Sequence, residues 1–332
     1  MLTAPYPTIK RAAGMLALAL AGTVSTSAAG WQKLAPLPES NGGFVCGDVH
    51  GTVFVLGGTN WEGGQKNWLK VVHRLDPETL RWSSLEPLRQ PLAYAIAGTT
   101  GGVLVVAGGT TGRAPFPGLL RIEDGRVSVR DTFGIAAPAV LSAGGLIGDE
   151  FVFAGGTDDA ANVKGFRRDA FAWNIRTGRQ RALPAYPGPA FGTAGSAVAG
   201  DELLVFGGGV WKEETQSVAN LTSAYAFSPR RNAWRRLSPL PHPVRGLAAV
   251  ALDDKHVYLA GGYAGDPGAF TDRAFVYIIG EDRYTPAPPL PYGAMVGLVK
   301  SSGFVYCLGG EDQMKHRTAA AYRIELAELW KR

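Results

Sequence analysis

Six times in this chain a short run of β-branched, aromatic and aliphatic residues ends in a pair of glycines. The runs are TVFVLGG at Gly57-Gly58, VLVVAGG at Gly108-Gly109, FVFAGG at Gly155-Gly156, LLVFGG at Gly207-Gly208, VYLAGG at Gly261-Gly262 and FVYCLGG at Gly309-Gly310. From first glycine to first glycine the steps are 51, 47, 52, 54 and 48 residues. A period near fifty means one supersecondary unit repeated, each copy burying its apolar face against the next. The same glycines exclude a helical reading, because each interior glycine costs a helix about 1 kcal/mol. Glycine makes up 45 of the 332 residues, while charged residues are only 18% and apolar residues 46%. That balance also excludes a disordered chain.

Other features keep step with the diglycines. A run of small and apolar residues precedes each pair, as in LAYAIAG, APAVLSAGG, FGTAGSAVAG, RGLAAVALD and YGAMVGLVK. Such residues suit strands crowded around a central axis. A variable loop follows each pair, then a third strand such as VVHRLD, AYAFSP or FVYIIG, then a fourth with an aromatic and a proline corner. The fourth-strand aromatic is Trp82 in unit one, Trp234 in unit four and Tyr284 in unit five; Gln180 replaces it in unit three, and unit two has none. Four strands in each of six units predict an all-β, six-bladed β-propeller with four-stranded antiparallel blades. The segment WQKLAPLP, with Trp31, has the fourth-strand pattern but no strands before it. It is expected to complete blade six and close the ring by pairing the two chain ends, with Trp330 as the other candidate for that place.

The chain opens with Lys10-Arg11, an apolar stretch from Ala12 to Val24, and small residues at Ser27 and Ala29. This is the layout of a secretory signal peptide. The expectation is a leader over 1–29, a propeller over 30–332, and a periplasmic or secreted protein with no membrane anchor after cleavage. Removing the leader takes the net charge from +5 to +3. That is too weak for nucleic-acid binding, and no basic helix or RNP-like strand supports one. Cys46 and Cys307 both sit in apolar strand-like runs. Two buried thiols and one disulfide both fit.

Most catalytic signatures are absent. There is no HExxH, no phosphate-binding GK[ST] loop and no GxSxG elbow. The five histidines show no ligand spacing, and a copper site would need paired His and Tyr ligands that the chain does not assemble. No cofactor and no metal are expected. Function is therefore expected on the propeller face where the loops after the diglycines meet the loops entering each innermost strand. Candidate residues there are Asn60, Trp61 and Lys66 of blade one, Arg113 of blade two and Arg245 of blade five. Asp158 and Glu213 are the only candidates for a second carboxylate. Glu311 stands apart because it follows Gly310 directly, at the rim of the channel. A partly desolvated carboxyl there suits general acid–base work. Arg317 lies on the return side of the same loop, and its planar fork suits a substrate carboxylate or a bracing pair with Glu311.

The diglycine, aromatic and fifty-residue pattern resembles the kelch repeat over residues 30–332. Within blade six, PYGAMVG followed by GGEDQMKHRT resembles the blade of N-acetylneuraminate epimerases, the sialic acid mutarotases, in which a G-E-x5-R-T stretch follows a Y-G-x-x-G strand. Blade one, GGTNWEGGQKNW then PLAYAIAG, resembles the blade that follows the catalytic one in that family, with the blade order cyclically permuted. The resemblance implies Glu311 as proton shuttle and Arg317 as holder of the carboxylate of an acidic sugar. Lys66, Arg113 or Arg245 would assist, with Asn60, Trp61 and Tyr94 around the sugar. The other readings are a non-catalytic kelch propeller that binds a glycan or a protein on its loop face, and a carbohydrate hydrolase or lyase.

Overall fold

The computed structural model describes residues 30–330 except Asp124, 131–134, Ala136 and 266–268. The expected leader over 1–29 lies outside the described residues. Among those described, no helix is long and apolar enough to cross a membrane.

Six four-stranded antiparallel sheets account for the β-structure of the ring. Blade one contains Val45–Val49, Thr52–Leu56, Val72–Leu75 and Trp82–Ser84. Blades two to five repeat that order from Ile96–Thr100, Ala143–Ile147, Gly195–Ala199 and Ala248–Ala251 as their innermost strands. Blade six takes three strands from the C-terminal part, Met295–Ser301, Phe304–Glu311 and Ala321–Glu325, and its fourth from Gln32–Lys33. The expected all-β, six-bladed propeller with four-stranded antiparallel blades is the fold.

Each diglycine is a clasp between blades. The amide of Gly58 donates to the carbonyl of Leu92 at the start of the next blade, at 2.7 Å. The second glycine of every other pair repeats this, ending with Gly310 on Asn41 at 2.7 Å. The partner carbonyl comes so close that a Cβ on Gly57 would lie 1.9 Å from the Leu92 oxygen. The repeat is therefore a consequence of six equal junctions.

Among the described residues the apolar core is divided into six clusters, and each joins two neighbouring blades. Val45, Phe54 and Leu56 of blade one pack on Leu104, Val106 and Leu120 of blade two, for example. The glycines of the innermost strands serve these junctions as well as the axis. A Cβ on Gly47 would lie 2.4 Å from Leu104 Cδ1 of the next blade. That refines the expectation that small residues there only relieve crowding at the centre.

The outer-strand aromatics hold blades together from outside. The indole Nε1 of Trp82 donates to Ala35 O at 3.0 Å, that of Trp234 to Pro184 O at 2.8 Å, and the Tyr284 hydroxyl to Ser238 O at 2.7 Å. Trp31 does the same for blade six, donating to Pro289 O at 2.7 Å while fully buried. It fills the closing position; the side chain of Trp330 lies outside the described residues. Closure is a zipper: Gln32 pairs with Arg323 and Lys33 with Tyr322, and the amides of Leu34 and Leu37 continue onto Ala321 O and Ala319 O at 2.9 and 2.8 Å.

The two cysteines are free thiols. Cys307 packs in the cluster between blades five and six, and Cys46 against the cluster between blades six and one. The sheet of blade six separates them, so the disulfide alternative is not formed. Burial pushes both thiols up to about 12, which leaves them protonated and inert at neutral pH.

Candidate functional site

The two loop classes share one face, as expected from the strand order. Single β-bridges tie them together there: Gly42 to Thr59, Ala93 to Thr110, Val140 to Thr157, Gly192 to Gly209 and Arg245 to Tyr263. At the centre of this face the innermost strands open into a cavity of about 310 Å³. Its walls are mostly small and apolar, with Phe44, Tyr94, Leu141 and Met295 as the large side chains at the mouth. A volume of this size takes one side chain or one small ring system.

The mouth has a repeating rim. Gly43, Tyr94, Leu141, Thr193 and Gly246 occupy the same register in blades one to five, and all five are left-handed, with φ of 66°, 58°, 56°, 56° and 64°. Three of them carry side chains, each at a cost of about 1–2 kcal/mol relative to ordinary backbone. Blade six breaks the rule. Its first two strands stay paired through the diglycine, Gly297 with Leu308 and Met295 with Glu311, across a bulge. Pairing therefore carries the Glu311 backbone to the mouth on one continuous strand, where the other blades keep a single bridge after the diglycine.

Glu311 and Arg317 meet at this mouth. Arg317 NH1 lies 2.9 Å from Glu311 Oε1, with side chains 5% and 25% exposed respectively. NH1 also donates to His316 O at 3.2 Å. Arg317 reaches this position by lying across Gly42, where a Cβ would come 2.4 Å from its Cδ. Its Nε has no hydrogen-bond partner among the described residues. Asp312 and His316 pair across the same loop and brace it.

The other expected residues divide into groups. Tyr94 lines the cavity and accepts a hydrogen bond from Lys66 Nζ at 2.8 Å. The same Nζ stands 4.6 Å above the Trp68 ring, which meets Tyr94 edge-on. Lys66 and Tyr94 are thus brought together beside the cavity. Asn60 and Trp61 sit outside it, on the extra hairpin Thr59–Glu62 and Gln65–Trp68. Asn60 accepts from Asn67 Nδ2 at 3.0 Å and donates to Glu39 Oε2 at 3.4 Å, and Trp61 faces Lys315 Nζ at 5.6 Å. Arg113 is exposed in the short turn after Thr111. Arg245 belongs to a separate cleft of about 490 Å³ between the hairpins of blades four and five. There its guanidinium lies 4.3 Å above Tyr263 and NH1 donates to Asn220 Oδ1 at 2.7 Å.

Neither proposed second carboxylate lines the cavity. Hydrogen bonds from Asn162 and Thr157 hold Asp158 below the usual carboxylate range, and the Trp211 indole and Gln216 do the same for Glu213. Among the described residues the cavity has one carboxylate, Glu311, and one cation, Arg317, and each engages the other. No group of three or more potential metal-binding side chains occurs among the described residues.

Sequence reasoning missed Gly42 and Trp68. Gly42 makes room for an arginine 275 positions away, so no local pattern could reveal it. Trp68 was within the quoted blade-one motif, but only the hairpin register places it beside Lys66.

Comparison with known proteins agrees with the fold. The Kelch motif matches residues 42–89 and 190–241, within blades one and four. The chain is 23% identical to Kelch-like protein 36 of Bos taurus over 79% of its own length and 42% of the relative's. It is 28% identical to Kelch-like protein 35 of Mus musculus over 41% of this chain and 22% of that one. An F-box/kelch-repeat protein of Arabidopsis thaliana is 37% identical over 24% of this chain and 20% of the relative. The chain therefore spans less than half the length of the curated relatives it matches. The likeness is to kelch proteins in general, and the finer resemblance to N-acetylneuraminate epimerases gains no support from it.

Proposed function

We propose that this kelch-repeat propeller is a non-catalytic binding module that takes a protein partner on its loop face. One observation carries the reading: aromatic rings on that face are each held under a cation contributed by a neighbouring strand or loop. Trp68 and Tyr94 carry Lys66, Trp61 carries Lys315, Trp211 carries Lys164, and Tyr263 carries Arg245. Trp, Tyr and Arg dominate the energetics of protein interfaces, because they offer large rigid area with polar edges. Here they surround a cavity that can receive one inserted side chain.

The test is selection of binders from a displayed random-peptide library on the folded protein. Selected peptides are expected to lose at least about thirtyfold in affinity with Trp61→Ala and Trp211→Ala combined, the size of a hot-spot loss. They should be unaffected by Arg230→Ala, an exposed residue in the turn after the third strand of blade four, at the opposite end of the sheet. Peptides that respond to Arg230→Ala and ignore the tryptophans overturn the reading.

The Glu311–Arg317 pair in a monosaccharide-sized cavity favours a second reading, mutarotation of an acidic sugar such as N-acetylneuraminate. Glu311 would accept the proton of the anomeric hydroxyl and return it to the ring oxygen. The ring C–O bond then opens to the carbonyl form, which turns and recloses on its other face, with Arg317 holding the carboxylate. NMR exchange between the two anomers tests it. Acceleration by the wild type that Glu311→Gln removes supports the enzyme, and exchange at the uncatalysed rate rejects it.

A further inference from the structure

We infer that the junction between blades one and two holds a binding site for a small aromatic acid, an indole or phenol ring that carries a carboxylate. The site lies at the outer edge of the ring and shares no lining residue with the central cavity. Its position follows from the strand ladders. In blade one the residue four before the diglycine, Val53, pairs with Leu75, and Leu75 pairs with the aromatic Trp82. The same two steps lead from Leu203 through Phe227 to Trp234 in blade four, and from Val257 through Tyr277 to Tyr284 in blade five. In blade two they lead from Leu104 through Ile122 to Val127.

The place that the aromatics fill elsewhere is open here. Trp82, Trp234 and Tyr284 each pack on the core cluster that contains the corner residue of the preceding blade, Leu37, Tyr186 and Leu240 respectively. Each donates to the carbonyl two residues before that corner residue. Val127 packs on the cluster that contains Leu88, the matching corner residue after blade one. Two residues before Leu88 stands Glu86, and among the described residues no hydrogen bond reaches its carbonyl. Valine is too short to reach that carbonyl and has no polar edge to offer it. The junction has instead a cleft of about 730 Å³, walled by Leu85, Leu88 and Val127. A ring with an N–H or O–H edge, entering from outside, completes the arrangement that the other junctions build from their own side chains.

The rim of the cleft selects an acid. Arg89 and Arg126 line it, both are exposed, and neither side chain has an ion pair or hydrogen bond among the described residues. Glu123 stands opposite Arg126 in the ladder but pairs with Arg121, at 3.6 Å. Glu86 is the one carboxylate lining the cleft, and it too is without an ion pair among the described residues. Two cations therefore face one anion, and Lys70, which donates to Arg89 O at 3.1 Å, adds positive charge beside the corner. The planar fork of an arginine at the rim suits the carboxylate of a ligand whose ring is inside.

Indole-3-acetate is the probe, titrated onto the folded protein and followed by saturation-transfer NMR. It is expected to bind at one site with a Kd of about 1 mM or tighter, the range open to a ligand this small. Val127→Trp supplies the ring from the blade itself. It should weaken binding at least about tenfold while its urea midpoint stays at or above that of the wild type, as refilling a cleft predicts. N-Methylindole-3-acetate lacks the N–H and should bind about fivefold more weakly, the worth of one hydrogen bond. Uncharged 3-methylindole should bind about threefold more weakly than the acid, as fits an exposed charge pair. Arg126→Glu should remove that last difference by weakening the acid alone. Arg126 is exposed, so this variant reports on the site even if Val127→Trp does not fold. No saturation up to about 10 mM, far weaker than any specific site would show, overturns the inference. So does binding that a folded Val127→Trp leaves undiminished. An acid that binds no better than 3-methylindole and ignores Arg126→Glu rejects the carboxylate as part of the ligand.

Discussion

Gly57→Ala is expected to cost the fold about 2–5 kcal/mol, the sum of overpacking a close backbone contact and holding alanine in left-handed backbone. The new methyl would lie 1.9 Å from Leu92 O and 2.9 Å from Leu92 C, both main-chain atoms that cannot rotate away. Moving them would also break the Gly58 amide bond to the same carbonyl, at 2.7 Å, and open the junction between blades one and two. Gly63→Ala is the matched comparison. Its φ is +57° against +59° at Gly57, but nothing lies within 4 Å of the added carbon. It should cost only the conformational part, about 1–2 kcal/mol. Urea unfolding followed by tryptophan fluorescence measures both. Equal losses would mean that left-handed backbone, and not the blade-to-blade clasp, is what the diglycine provides.

Trp31→Ala is expected to lower stability by about 3–5 kcal/mol, the usual cost of removing a buried tryptophan. Trp31 is fully buried between blades five and six, its indole bonds to Pro289 O, and the strand beside it, Gln32–Lys33, is only two residues long. Losing it removes the anchor of the strand that closes the ring. Trp82→Ala removes the equivalent residue of blade one, which is half-exposed and lies in a blade built from continuous chain. A smaller loss is expected there, and native-state trypsin cleavage after Lys33 should accelerate in Trp31→Ala alone. If the two variants unfold at the same urea concentration and are cut at the same rate, the chain end is not what holds the ring shut.

The parts of the fold legible in the sequence are those that repeat. Six junctions need the same clasp, so six diglycines appear at the same interval, and the strand pattern between them follows from burial on both sides of each blade. Glu311 was legible for the same reason, as a charged residue immediately after a clasp. What the sequence did not reveal lies between blades. The bulged, continuous pairing that carries Glu311 to the mouth depends on how Met295 and Gly297 register with the second strand. The position of Arg317 depends on Gly42 in the first blade. Arg113 and Arg245 share the loop face with these residues, but Arg113 stays in a solvent-exposed turn and Arg245 serves another cleft.

The sequence by itself determined the architecture, because a repeated local requirement for close backbone contact leaves a repeated local mark. Tertiary structure decided which charges are available. Three cation–aromatic contacts join residues from neighbouring blades, Lys66 with Tyr94, Lys164 with Trp211 and Lys315 with Trp61, so what stands beside each lysine depends on which blade lies next to it. Lys66 meets Tyr94 only because blade two packs beside blade one, and Lys315 meets Trp61 only because the ring closes.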